Sequence, residues 1–242
     1  MGTDGAPAPP IWFLPEAPER KWGLGRAEIV RVAIEIADGG GAEALTMRAV
    51  ATKLGAATPM SLYRYVHSKE GLVDLMLDEV GAEVPTPDEP GEDWRGELTE
   101  LCRAEWAMMR RHPWYAALVH SRPPAGPNAC RRHEFVLATF AKLGLEPSRS
   151  LGFSRLLDGY LAGLALQQAE EEKMWRRNNF GSTDQVREQV RDWWPRSRGD
   201  AAYPHLTALM ESFLDGGGIA PDVDAQFELG LACLLDGVAA RL

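Results

Sequence analysis

One short stretch of the 242-residue chain concentrates side chains suited to recognition chemistry. It reads Thr58-Pro59-Met60-Ser61-Leu62-Tyr63-Arg64-Tyr65-Val66, with Lys69 three residues further on. Leu62 and Val66, four apart, mark the side of a helix that faces a core. Ser61, Tyr63 and Arg64 then point elsewhere. Arg64 can pair with a guanine or a phosphate, the hydroxyls of Thr58, Ser61, Tyr63 and Tyr65 suit phosphate oxygens, and Lys69 adds a positive charge beside the backbone. An ordinary short helix with surface tyrosines in a packed bundle fits the same pattern.

Bond-making chemistry has much less support. The chain has no GxxxxGK[ST], GxGxxG, HExxH or GxSxG. The glycine runs 39–41 and 216–218 sit where helices should end. Glu170, Glu171 and Glu172 are adjacent, so a helix would point them in different directions. Cys102, Cys130 and Cys233 are far apart and fit no metal-ligand spacing. The expectation is a chain with no catalytic residues, no metal site and no cofactor, and therefore no enzyme.

The positioning elements follow from the spacing of apolar residues. Ile29, Ala33 and Ile36 give a first helix from Arg26, closed by Asp38 and Gly39–Gly41. Thr46 caps a second helix through Leu54, and Gly55 stops it. Thr58 and Pro59 open a third as N-cap and first residue, running through Val66. Ser68 caps a fourth over 69–83, with Leu72, Leu75, Met76 and Val80 on its apolar side. A short helix, a glycine turn and a second short helix over 46–66 make a helix-turn-helix, whose second helix enters the major groove. Residues 85–93 break the chain with three prolines and a glycine. Beyond them only helical periods recur, at about 94–111, 113–120, 127–143, 148–173, 183–194, 201–215 and 222–241. The fold class is therefore all-α. Three segments are expected: a Pro-rich arm over 1–25, a DNA-binding head with its connecting helix over 26–84, and a helical body over 92–242.

Charge supports that division. The chain carries a formal net charge of -9, yet residues 20–69 hold eight Lys or Arg against four acids. A basic block on an acidic body reads as a DNA-binding head on a domain with other work. No stretch reaches the roughly 20 apolar residues of a membrane helix, and the N-terminus lacks a basic segment followed by an apolar run. Cytoplasmic placement is expected, with no membrane partner.

Residues 45–80, LTMRAVATKLGAATPMSLYRYVHSKEGLVDLMLDEV, resemble the DNA-binding head of the tetracycline-repressor (TetR) family. The core of the likeness is Leu62-Tyr63-Arg64-Tyr65-Val66 followed by Ser68-Lys69-Glu70-x-Leu72. It extends, more weakly, to VHSRPP (119–124), LALQQAEE (164–171) and FELGLACLLDGVAARL (227–242), which resemble the subgroup with a tetracycline-repressor-like C-terminal domain. The resemblance implies a three-helix head, a connecting fourth helix and a ligand-binding body. It also implies a homodimer held by a four-helix bundle, a palindromic double-stranded operator and a small-molecule effector. Arg48 matches the family's base-reading arginine and Thr46 its capping threonine. Thr58, Pro59, Met60, Ser61, Tyr63, Arg64, Tyr65 and Lys69 take the operator-facing positions, where Met60 could meet a thymine methyl.

In the body, the implied ligand pocket has as candidates Trp106, Met109, Trp114, Leu118, His120, Phe135, Tyr160, Leu164, Gln168 and Trp175. Each could equally be plain core. His120 matches a histidine used by tetracycline repressors at the drug and its magnesium, although a lone histidine is also commonly structural. That subgroup's pocket asparagine and glutamine are replaced by Leu101 and Val136, which points to an apolar, aromatic effector other than tetracycline. Phe153, Leu157, Tyr160 and Leu164 form one helical stripe, and Phe227, Leu231, Leu234 and Val238 another. The spacing fits bundle packing of either kind, internal or between chains. The resemblance assigns Phe153, Leu157, Leu164, Phe227, Leu231, Leu234 and Val238 to the dimer seam.

Overall fold

A computed structural model of the chain describes residues 10–15, 25–55, 58–197, 203–218 and 222–242, with only the backbone at 193 and 195–197. Among the described residues every regular element is helical. The helices are α1 Arg26–Gly40, α2 Met47–Lys53, α3 Met60–Val66, α4 Lys69–Gly81, α5 Trp94–Arg111, α6 Tyr115–Leu118, α7 Pro127–Lys142, α8 Pro147–Arg177, α9 Thr183–Ser197, α10 Pro204–Leu214 and α11 Val223–Ala239. None is long and apolar enough to cross a membrane. The chain divides into two compact units. One contains the described residues up to Leu166 together with Cys233–Leu242, and the other is Gln167–Ala232. The division therefore runs through α8 and α11, while the proline-rich break at 85–93 lies inside the first unit.

In the first unit, α1 to α4 close around Ile29, Val30, Ala33, Val50, Leu62, Val66, Leu72 and Met76, all buried. Each large apolar side chain so placed contributes about 1.5–3 kcal/mol. Thr46 accepts from the Ala49 amide at 3.1 Å and Ser68 from that of Gly71 at 2.9 Å, so two of the expected caps are made. Thr58 is a correction: its side chain makes no cap bond. Pro59 is already helical (φ -57°, ψ -29°), so winding starts there. The Thr58 carbonyl instead accepts from the Ser61 amide at 3.2 Å and the Ser61 hydroxyl at 2.7 Å. Gly55 has φ +64°, which a side-chain-bearing residue adopts only with strain, and it turns the chain out of α2.

The arm has an anchored portion. Residues Ile11–Phe13 form a 3-10 turn whose Ile11 is 2% exposed. A Cβ on Gly71 would meet the Val66 carbonyl oxygen at 2.3 Å and Ile11 Cδ1 at 3.2 Å, so only glycine lets this arm and the end of α3 close over α4. His67 Nε2 lies 3.1 Å from the Pro15 carbonyl oxygen. The residue that docks is Ile11, whereas Phe13 is 75% exposed.

Further along the first unit, Asp93 caps α5 through the Gly96 amide at 2.9 Å. The α4 carboxylate of Asp78 caps α7, accepting from the amides of Asn128 and Ala129, both at 3.0 Å. Asp38 Oδ1 lies 2.7 Å from His112 Nδ1 and accepts from the Trp114 indole at 2.6 Å. Glu83 pairs with Arg111 and His112. Burial alone would raise the Glu83 carboxyl, but those hydrogen bonds hold it below its ordinary range. In the second unit, Val190 and Trp194 of α9 pack with Met210 and Phe213 of α10, and Arg187 donates to the Phe213 carbonyl at 2.7 Å.

The seam residues require a second correction. Phe153, Leu157, Leu164, Phe227, Leu231 and Val238 are buried within one chain, and Leu234 is half-buried. On α8 the outward stripe is displaced: Leu156, Gly159, Gly163 and Leu166 are exposed, spaced three, four and three. A Cβ added at Gly159 or Gly163 would meet nothing within 4 Å. Both sides of α8 carry bundle spacing, so the period could not tell the internal stripe from the external one.

Candidate DNA-reading face and effector cavity

The candidate reading face is the solvent edge of α2 and α3 with the first residue of α4. Thr46, Arg48, Thr58, Met60, Arg64 and Lys69 are exposed, while Pro59, Ser61 and Tyr63 are half-buried. Met60 is 73% exposed, a large apolar side chain left in water. The Arg64 guanidinium carbon sits 5.3 Å from the Tyr65 ring centroid, which steadies it. Tyr65 itself is a correction. It lies three residues after Leu62 on the inward side of α3 and is buried, so its ring belongs to the core of the head. Its carbonyl accepts from Arg26 Nε at 3.1 Å, tying the end of α3 to the start of α1.

The second site is a cavity of about 520 Å³ inside the first compact unit. Glu105 and Met109 of α5, Tyr115 of α6, Arg132 and His133 of α7 and Asp158 and Ala162 of α8 line it, with Val119, His120, Arg122 and Pro124 from the segment after α6. Its wall is apolar in part and charged at one end. Arg132 Nε lies 2.7 Å from Glu105 Oε1, and Arg132 Nη2 lies 2.6 Å from Asp158 Oδ1. Burial pushes the Glu105 carboxyl up to about 7, against the pull of Arg132 and with help from the Asp158 charge. Burial and the nearby Glu105 push the Tyr115 phenol up to about 12. The Cys102 thiol is raised by the same two causes.

One lining residue reaches out of the cavity to the head. Arg122 donates from Nε and Nη2 to the two oxygens of Asp74 on α4, each at 2.8 Å. Asp74 is 8% exposed. A fork of this kind fixes both distance and orientation. The cavity wall is thereby bonded to the helix that follows the reading helix.

The family described as Tetracyclin repressor-like, C-terminal domain, matches residues 86–242. The chain belongs to the tetracycline-repressor family. Among its relatives is the HTH-type transcriptional repressor DrrR1 of Streptomyces coeruleorubidus, 36% identical over 94% of this chain and 83% of that one. An HTH-type transcriptional regulator of Saccharopolyspora erythraea is 35% identical over 98% and 94%. Among solved structures, apo ActR of Streptomyces coelicolor superposes with a TM-score of 0.71 at 27% identity, covering 90% of this chain and 98% of that one. The ActR complex with actinorhodin gives 0.70 at 26%, with the same coverage. The all-helical fold expected from sequence is thus that of the family.

Within this member of the family, Met109 and His120 are the sequence-expected ligand residues that line the cavity. Trp106, Trp114, Leu118, Phe135, Tyr160, Leu164, Gln168 and Trp175 are not among its lining residues. Trp114 instead spends its indole N–H on Asp38, Phe135 is fully in the core, and Trp175 stacks edge-on with Phe180 at 6.0 Å. Gln168 and Trp175 belong to the second compact unit. Among the described residues no group of three His, Cys, Asp or Glu is gathered to hold a metal. The sequence reading passed over Glu105, Arg132 and Asp158. Their one signal was charge at positions 105, 132 and 158 on otherwise apolar helix faces, where a buried ion must find a partner.

Proposed function

We propose that the chain is a repressor that binds a palindromic operator as a homodimer and releases it when a small aromatic or hydrophobic effector occupies the 520 Å³ cavity. Residues 26–84 serve as the DNA-binding part, 92–242 as the effector and dimer part. Arg48, Thr58, Met60, Ser61, Tyr63, Arg64 and Lys69 meet the operator. The observation that carries the reading is the Arg122–Asp74 fork. It makes a cavity residue and a head helix share one interaction, so an effector that moves Arg122 also moves α4. The pocket volume falls in the range of small-molecule sites, and the related ActR is known in complex with actinorhodin. The exposed α8 stripe around Gly159 and Gly163 is where a second copy packs, because glycine at those two positions lets another helix approach closely. The chain performs no reaction in this reading and acts in the cytoplasm, where DNA is accessible. The test is a fluorescence-anisotropy titration of an operator selected from random duplexes. Specific binding that saturates at one dimer per palindrome supports the reading, and equal affinity for all sequences contradicts it.

A further inference from the structure

The cavity holds an uneven set of charges. One guanidinium, Arg132, serves two carboxylates, Glu105 and Asp158. Glu105 is 4% exposed, and the side chains of Arg132 and Asp158 keep only 18% and 17% of their surface. The other cations along the wall do not restore the balance. Arg122 is committed to Asp74 through Nε and Nη2. Arg155 and His120 are exposed, and among the described residues neither forms an ion pair with Glu105 or Asp158. His133 directs Nδ1 at the Ala129 carbonyl, 2.8 Å away, and its Nε2 stands 3.7 Å from Asp158 Oδ2, beyond hydrogen-bonding distance. Tyr115 offers a neutral phenol on the same wall. A surplus negative charge held away from water requires a counter-charge or a proton.

We propose that the effector of this cavity carries a basic amine on an apolar ring framework, and that its ammonium group sits against Glu105 and Asp158 to complete the triad as two cations facing two anions. The inference rests on reading the cavity as the effector site. It replaces "aromatic or hydrophobic" with an aromatic cation and sets an acidic effector aside. In the empty protein the surplus is relieved by protonation of Glu105, whose carboxyl burial raises to about 7. An arriving ammonium drives that proton off to solvent, so amine affinity rises with pH through neutrality. His120 and His133 stand on the same wall. The share that belongs to Glu105 is therefore read from a variant.

Three matched probes test this on the full-length protein by isothermal calorimetry: 1-(aminomethyl)naphthalene, 1-naphthalenemethanol and 1-naphthoate. The amine should bind about tenfold or more tighter than the carboxylate, as for one charge contact in a partly desolvated site. Glu105→Gln should remove most of that preference, read as the ratio of amine to carboxylate affinity. Independently of any variant, binding of the amine to the wild type near pH 7 should release a proton, read from two buffers of different ionisation heat. If the alcohol binds and the amine is no better than the carboxylate, the charge assignment is overturned while the cavity reading stands. If none of the three binds, the cavity reading falls and the inference with it. An undiminished amine preference in Glu105→Gln also overturns it.

Discussion

The reading face and the cavity are built in opposite ways. The face is exposed, and its supports are local: Thr46 caps α2 three residues away, and Arg64 rests on the adjacent Tyr65 ring. The cavity opens to solvent on one side, and its polar groups are held by partners 26 to 48 residues distant, Arg132 to Asp158 and Arg122 to Asp74. A local site keeps its geometry when the body shifts. A site assembled from four helices changes when any one of them moves. In the proposed function, affinity for DNA is carried by the first region and its control by the second, with α4 joined to the cavity through Asp74 and Arg122.

The sharpest break of this comparison concerns which side of α8 and α11 is internal. Leu231, 1% exposed, should fail to fold as Leu231→Glu, because an unpartnered buried charge costs several kcal/mol. Leu156→Arg, on the 55% exposed side, should keep the helical circular dichroism and sediment as a monomer. A folded Leu231→Glu monomer would reverse the assignment. Next in size is Arg122→Ala. It leaves Asp74 buried with no charge partner and should cost about 3 kcal/mol in denaturant unfolding, at the low end for such pairs because Arg122 keeps 24% exposure. Asp74→Asn should recover part of that loss in the double variant. Arg48→Ala, by contrast, should leave the thermal melt unchanged and weaken operator binding by about 1–3 kcal/mol in a salt-matched titration.

What the sequence made legible follows the same divide. The α5 span, the Thr46 and Ser68 caps and the reading helix could be read because caps and periods are local signals. Tyr65 was misplaced although Leu62 and Val66 already defined the inward side, because its hydroxyl suggested solvent. The cavity charges were invisible for a different reason. Nothing near Glu105 in the chain announces Arg132 or Asp158, since their pairing depends on how α5, α7 and α8 cross. Trp114, a pocket candidate by sequence, instead donates its indole N–H to Asp38, 76 residues away.

Two smaller effects sharpen the comparison. The raised Glu105 carboxyl makes the folded state hold a proton that the unfolded state has already released. Its contribution is therefore neutral below the unfolded value and turns destabilising as pH rises from about 4.5 toward 7. Glu105→Gln should gain melting temperature relative to wild type at pH 8 and not at pH 4, measured by calorimetry. An equal gain at both would place the carboxyl in a wetter site. Ile11→Asp should release the arm from Gly71 and lower operator affinity by about 1 kcal/mol, with no change in sedimentation. An unchanged affinity would make the arm a passive cover of the α3–α4 turn.

The central claim is that the cavity and the reading face are thermodynamically linked. The measurement is the affinity of a cavity-binding compound, 1-(aminomethyl)naphthalene, for the dimer with and without saturating operator duplex. Binding should be weaker in the presence of operator, by the same factor by which the compound weakens the operator. Identical affinity with and without DNA would contradict it.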